Sequence, residues 1–108
     1  MDKAKDDAYF EAKIKKDLAF AIDAIGDLSA EEFNENELVS DAICFRFIQI
    51  SEEASGLSES YVSSHREVPW KKMRGLRNRI VHDYGRVDLT VVFQTVKNDF
   101  PILLSILE

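Results

Sequence analysis

The sequence predicts an all-α fold: an antiparallel bundle of four to five helices, forming a single domain over residues 1–108. Three observations carry this expectation. Only four glycines and two prolines interrupt the chain. Apolar residues recur at steps of three and four, the spacing of one helix face. Strand-like alternation is scarce, and no internal repeat or low-complexity tract occurs.

The first helix is expected from about Lys3 to Ile25, with Phe10, Ile14, Leu18, Ile22 and Ile25 as its apolar stripe and Gly26 as its stop. Ser29 and Glu32 have capping-box spacing, so a short helical turn is expected to start there. A second long helix spans Glu37 to Ser55 through Val39, Ile43, Phe47, Ile50 and Ala54, with Gly56 as its stop. The stretch "LSESYVSSHREV" reads as a loop with room for one short turn. Pro69 suits the first position of a third helix, where its missing N–H costs nothing. Trp70, Met73, Leu76 and Ile80 give that helix its buried face, and Gly85 ends it. Asp88 can cap a last helix with Leu89, Val92, Val96, Phe100, Leu103 and Leu107 facing inward, and Pro101 should kink or split it.

Bulk properties narrow the function classes. No apolar run approaches the roughly 20 residues needed to cross a bilayer. The N-terminal stretch "MDKAKDDAYFEAKIKKD" is too charged for a secretory signal. A single cysteine, Cys44, excludes an internal disulfide and reads as a small buried hydrophobe. These features suit the cytoplasm. Two separated histidines and one cysteine offer no metal-ligand cluster, and no cofactor motif is present. Lys13, Lys15 and Lys16 read as the wet face of the first helix, and His65 as a surface residue in the loop.

The net charge is −6, but it is unevenly spread. Residues 65–86 hold seven of the 14 lysines and arginines and only two of the 20 acidic residues, so they carry +5 and the rest of the chain −11. A local basic patch matters more to a phosphate than the overall sum. Lys71, Lys72, Arg74, Arg79 and Arg86 are the candidate phosphate- and RNA-binding residues. The plain alternative is a solvated helix face paired with acidic neighbours.

Within this patch, "RNRIVHDY" places Arg77, Asn78, His82 and Tyr84 close together. On an ideal helix Arg74, Asn78 and His82 share one side, while Arg77 stands about 140° from His82. Either the helix loosens near Gly85, or two copies meet so that Arg77 of one chain approaches His82 of the other; a combination of both is favoured. The residue chemistry suits RNA cleavage without metal. Histidine can take a proton from a ribose 2′-hydroxyl, and arginine can stabilise the charge that develops on the attacked phosphate. The products would be a 2′,3′-cyclic phosphate and a 5′-hydroxyl, and DNA would not be cut. The same three side chains can also serve as a helix C-terminal cap.

The frame "PWKKMRGLRNRIVHDYGRVDL", with Arg-x4-His-x-Tyr at its centre and "NDFP" in the final helix, resembles HEPN domains, in particular HepT ribonucleases of HepT/MNT (type VII-like) toxin–antitoxin pairs. The resemblance implies an all-α homodimer with the motif helices facing each other. It implies metal-independent RNase activity in a composite cleft, with Arg77 and His82 as principal residues and Asn78 in support. It also implies an MNT-type nucleotidyltransferase partner, in a larger heteromeric complex or not, that transfers AMP to Tyr84. Bound AMP would fill the basic patch and exclude RNA. Glu53, in the Glu-Ala pair that ends the second helix, is expected either to orient Arg77 or His82 by ion pairing or to lie on a solvated face. Two departures stand out: Gly85 follows the tyrosine where relatives often carry an aromatic residue, and Glu52 stands where a glycine is common.

Two other readings remain open from the residues. In one, the chain is a non-catalytic nucleotide- or partner-binding subunit of a nucleotidyltransferase complex. In the other, it is a purely structural helical dimer, and reversing the charge of Arg77 alters only solubility.

Overall fold

The computed structural model describes residues 5–81 and 87–108. Among these the regular structure is all helical, with no strand. Two long helices, α1 (Asp7–Ile25) and α3 (Glu37–Gly56), form the spine, with the short α2 (Ala30–Glu35) between them. After α4 (Glu59–Ser64) come α5 (Trp70–Arg74) and α6 (Leu76–Val81). The chain closes with α7 (Leu89–Gln94), a π-helical turn at Thr95–Asp99, and α8 (Phe100–Leu107). The described residues thus form the expected all-α bundle, built on two long helices and six shorter ones.

The helix ends follow their caps. α1 starts at Asp7 rather than near Lys3, because the Asp6 carboxylate accepts the Tyr9 N–H at 3.0 Å. It ends at Gly26, whose φ of 44° lies in the region that favours glycine. The Ser29–Glu32 capping box forms, with bonds of 2.9 and 3.1 Å. Gly56 is the last residue of α3, and its role is close approach: an added Cβ would lie 2.5 Å from the Phe10 ring. The loop after it holds one short helix, α4, capped by Ser58. Asp88 caps α7 through Thr90 and Val91.

The predicted stripes all turn inward. Ile14, Leu18, Ile43, Phe47, Ile50 and Phe100 are fully buried, and each such side chain stabilises the fold by about 1.5–3 kcal/mol. Phe47 of α3 meets Phe100 of α8 with ring centroids 5.2 Å apart. Trp70, Met73, Leu76 and Ile80 are buried as expected, so Trp70 and Met73 are packing residues. The interruption expected at Pro101 takes the form of a π turn just before it. Phe100 N–H reaches back five residues to the Thr95 carbonyl, and the chain resumes as α8 with proline in its first turn. No described helix is long and apolar enough to cross a membrane.

Two expectations for the motif-bearing segment need correction. Pro69 is the residue before α5 rather than its first. The single helix predicted onward from Pro69 is broken at Gly75, where α5 ends and α6 begins. Gly75 N–H donates to the Lys71 and Lys72 carbonyls, and Asn78 N–H to the Gly75 carbonyl at 3.1 Å, the tighter three-residue pattern. Arg74 and Asn78 therefore sit on different helices.

Candidate functional site

The basic surface rests on α5 and α6, which both pack against α3. Residues 70–81 carry five cations and no carboxylate. Their apolar members face the core, so helical geometry turns Lys71, Lys72, Arg74, Arg77, Asn78 and Arg79 outward, and all six are exposed. Arg66 is exposed beside them. Among the described residues none of these cations lies within ion-pairing distance of an acid; the ion pairs found are Lys15–Glu11 and Arg46–Asp17. The alternative of a face paired with acidic neighbours thus has no support in the described contacts. Arg74 is partly engaged, because its Nε donates to the Ala54 carbonyl at 3.4 Å.

His82, Tyr84 and Arg86, named above as general base, modification site and phosphate ligand, lie outside the described residues, as does Gly85. Arg77 and Asn78 are brought to one exposed surface at the start of α6. An open depression of about 660 Å³ borders α6 on its inner side, lined by Cys44, Ile48, Ile80 and Val87. Its charged lining is Glu37 and Asp41, which would repel a phosphate. The exposed cations of α5 and α6 lie outside this acidic depression. Cys44 is half-buried there, and burial, reinforced by Asp41, pushes its thiol up to about 11, which makes it inert at neutral pH.

Glu53 differs from expectation. It is only 6% exposed, which excludes a solvated face, and it makes no ion pair with Arg77. Pairing with His82 lies outside the described residues. The reason is angular. Ser51 and Ala54 are the α3 residues bonded to Arg74. At about 100° per residue, Glu53 points roughly 130° away from their mean direction. It turns to α1 and meets Asp17, which is fully buried. Arg46, one side of whose guanidinium stacks 3.9 Å over the Phe20 ring, pairs with Asp17 at 2.5 Å. Asp17 Oδ2 and Glu53 Oε1 are both buried with no hydrogen-bond donor among the described residues. Two facing carboxyl oxygens are both satisfied only when one carries a proton. Burial first, then the hydrogen bond and charge of Asp17, push Glu53 up to about 8 against the opposing pull of Lys13 and Arg46. The contact with Asp17 thus favours the protonated form of Glu53.

Sequence reasoning missed Asp17, though a signal was present. Ile14, Asp17, Leu18 and Ala21 follow the i, i+3, i+4, i+7 pattern, which sets an acid on the buried face. His65 was read as a surface residue, yet it is half-buried. Its ring stacks on Tyr61 at 4.0 Å, its Nδ1 is 2.8 Å from the Tyr61 carbonyl, and its own carbonyl accepts the Trp70 indole N–H at 2.9 Å. It fastens α4 to α5. Among the described residues no three histidine, cysteine or carboxylate side chains converge as metal ligands.

Comparison with known proteins bears on this surface. Residues 14–108 match the family described as Ribonuclease HepT-like. A protein of Thermococcus cleftensis named "Probable ribonuclease HepT" is 32% identical over 82% of this chain and 84% of its own length. One of Caldanaerobacter subterraneus subsp. tengcongensis, named as a putative RNase, is 26% identical over 83% of this chain and 80% of its own. Another so named, of Methanocaldococcus jannaschii, is 27% identical over 90% and 80%. No solved structure matches. An all-helical bundle, a surface of exposed cations around Arg77 and Asn78, and a family match over nearly the whole sequence agree: the chain belongs to the HepT-like ribonuclease family.

Proposed function

We propose that this chain is a metal-independent endoribonuclease toxin of a HepT/MNT-type pair, cutting RNA at a composite site formed by a homodimer. His82 takes the proton from the ribose 2′-hydroxyl, and the alkoxide attacks the adjacent phosphorus. Arg77 stabilises the charge on the resulting phosphorane, and Asn78 orients the reacting groups. The P–O5′ bond breaks and the 5′-oxygen takes a proton from solvent, giving a 2′,3′-cyclic phosphate and a 5′-hydroxyl. Lys71, Lys72, Arg74, Arg79 and Arg86 hold the flanking phosphates. An MNT-type nucleotidyltransferase silences the chain by placing AMP on Tyr84, whose added charge and base occupy the cleft.

The observation that supports this reading is the exposure of Arg77 and Asn78 amid cations that have no acidic partner among the described residues, on a chain of the HepT-like ribonuclease family. A guanidinium kept free of carboxylates keeps its fork open for phosphate oxygens.

The experiment is RNA cleavage in EDTA by wild type and His82→Ala. Wild type is expected to leave cyclic phosphate ends, and the variant to lose cleavage while its dimer persists. An unchanged rate in the variant refutes the catalytic assignment. Wild-type protein that binds a nucleotidyltransferase but cuts no RNA between pH 6 and 9, the span around an ordinary histidine pKa, establishes the non-catalytic binding subunit instead. Intact-mass analysis after co-expression with an MNT-type enzyme should show AMP additions that vanish in Tyr84→Phe.

A further inference from the structure

The break at Gly75 changes the partner of one backbone oxygen. In an unbroken α-helix the Arg74 carbonyl accepts the Asn78 N–H. Here that N–H goes to the Gly75 carbonyl, and the Arg74 carbonyl accepts the Ser51 hydroxyl of α3 at 2.5 Å. Ser51 is 4% exposed, so water is a poor substitute for the partner of its hydroxyl. A second tie runs the opposite way, from Arg74 Nε to the Ala54 carbonyl one turn further along α3.

Glycine does not impose the break. The φ of Gly75 is −86° and its ψ −3°, within reach of any residue. An added Cβ would meet nothing nearer than the Lys71 carbonyl at 3.4 Å. The joint is thus held from outside the segment. Remove the Ser51 hydroxyl, and the cheapest way to satisfy the Arg74 carbonyl is to recapture the Asn78 N–H. That straightens the joint and rotates Arg77 and Asn78 about the α6 axis.

We propose that Ser51 is a positioning residue for the reaction: by holding the Arg74 carbonyl, it fixes the bearing of α6 and so the placement of Arg77 and Asn78 against the scissile phosphate. It touches no substrate. The kinetic part rests on the ribonuclease reading above; the structural part does not.

The test compares the full-length wild type, Ser51→Ala and Ser51→Thr in two readouts. The first is the backbone amide resonances of Arg77 to Arg79 and their hydrogen exchange, with the amides of Ile14 to Leu18 as reference. Ser51→Ala is expected to shift the Asn78 amide and leave the α1 reference in place. The second is RNA cleavage well below each variant's melting midpoint. There, kcat is expected to fall by about tenfold or more, as misplaced catalytic groups cost, with KM held within about twofold. Ser51→Thr keeps the hydroxyl and is expected to stay near wild type in both. An unmoved Asn78 amide, an unchanged kcat, or a threonine variant that tracks alanine overturns the proposal. If wild type cuts no RNA, the ribonuclease reading fails, and the Asn78 amide still decides whether Ser51 holds the joint.

Discussion

Two groups of charged side chains lie on either side of α3, and physics treats them oppositely. Between α1 and α3, Asp17, Glu53 and Arg46 are drawn into the bundle, and every charge there answers to another. Across α3, the cations of α5 and α6 face solvent, and none pairs with an acid among the described residues. A buried charge must be partnered or neutralised to be tolerated. An exposed one is free to wait for a ligand. The first cluster belongs to the fold; the second is, on the function proposed above, the face offered to RNA. Substitution should therefore cost stability on one side and activity on the other.

The largest effect is expected at Arg46. Arg46→Ala leaves the buried Asp17 carboxylate without its counter-charge, so chemical denaturation should show a loss of roughly 3–5 kcal/mol. A loss under 1 kcal/mol would mean the seam tolerates an unpaired acid. Next comes Arg77→Ala, expected to slow RNA cleavage about 10²–10³-fold, or ~2.7–4 kcal/mol of transition-state stabilisation. Its stability should stay within about 0.5 kcal/mol of wild type, as for other exposed sites. Equal damage to both properties would erase the contrast between the two clusters.

A smaller effect is set by pH. The folded chain holds the Glu53 proton up to about 8, whereas the unfolded chain releases it near the ordinary 4.5. Between those values the folded state binds more protons, so stability falls as pH rises and the contribution is gone above about 8. Glu53→Gln keeps a donor toward Asp17 and cannot ionise. Its denaturation midpoint should lose this slope, with a gain of roughly 1–2 kcal/mol at alkaline pH. An unchanged slope would place the proton elsewhere. Smallest of all, Lys71→Ala and Lys72→Ala should each lower the salt slope of RNA binding by about 0.7, with no change in melting temperature.

Most of the fold was legible in the sequence. Stripe spacing found the two long helices, and Ser29–Glu32 and Asp88 marked the starts of the short helices α2 and α7, because such signals act over three or four residues. The break at Gly75 was not legible. Its cause lies in Ser51, a residue 24 positions away in sequence that donates to the Arg74 carbonyl. Glu53 misled for a similar reason: the Glu-Ala pair says nothing of which neighbour the acid meets until α1 is packed against α3. The motif Arg77, Asn78, His82 and Tyr84 is visible in the sequence because it occupies eight consecutive residues, while the structure describes only its first half.

Subunit complementation tests the composite site most directly. Arg77→Ala and His82→Ala, each inactive alone, are unfolded together and refolded as a mixture. If each cleft takes its arginine from one protomer and its histidine from the partner, half the dimers are mixed and each holds one intact site, so about a quarter of wild-type activity should return. A mixture as inactive as its parents would contradict the account, since it would mean that both groups act from the same chain or that neither acts on RNA.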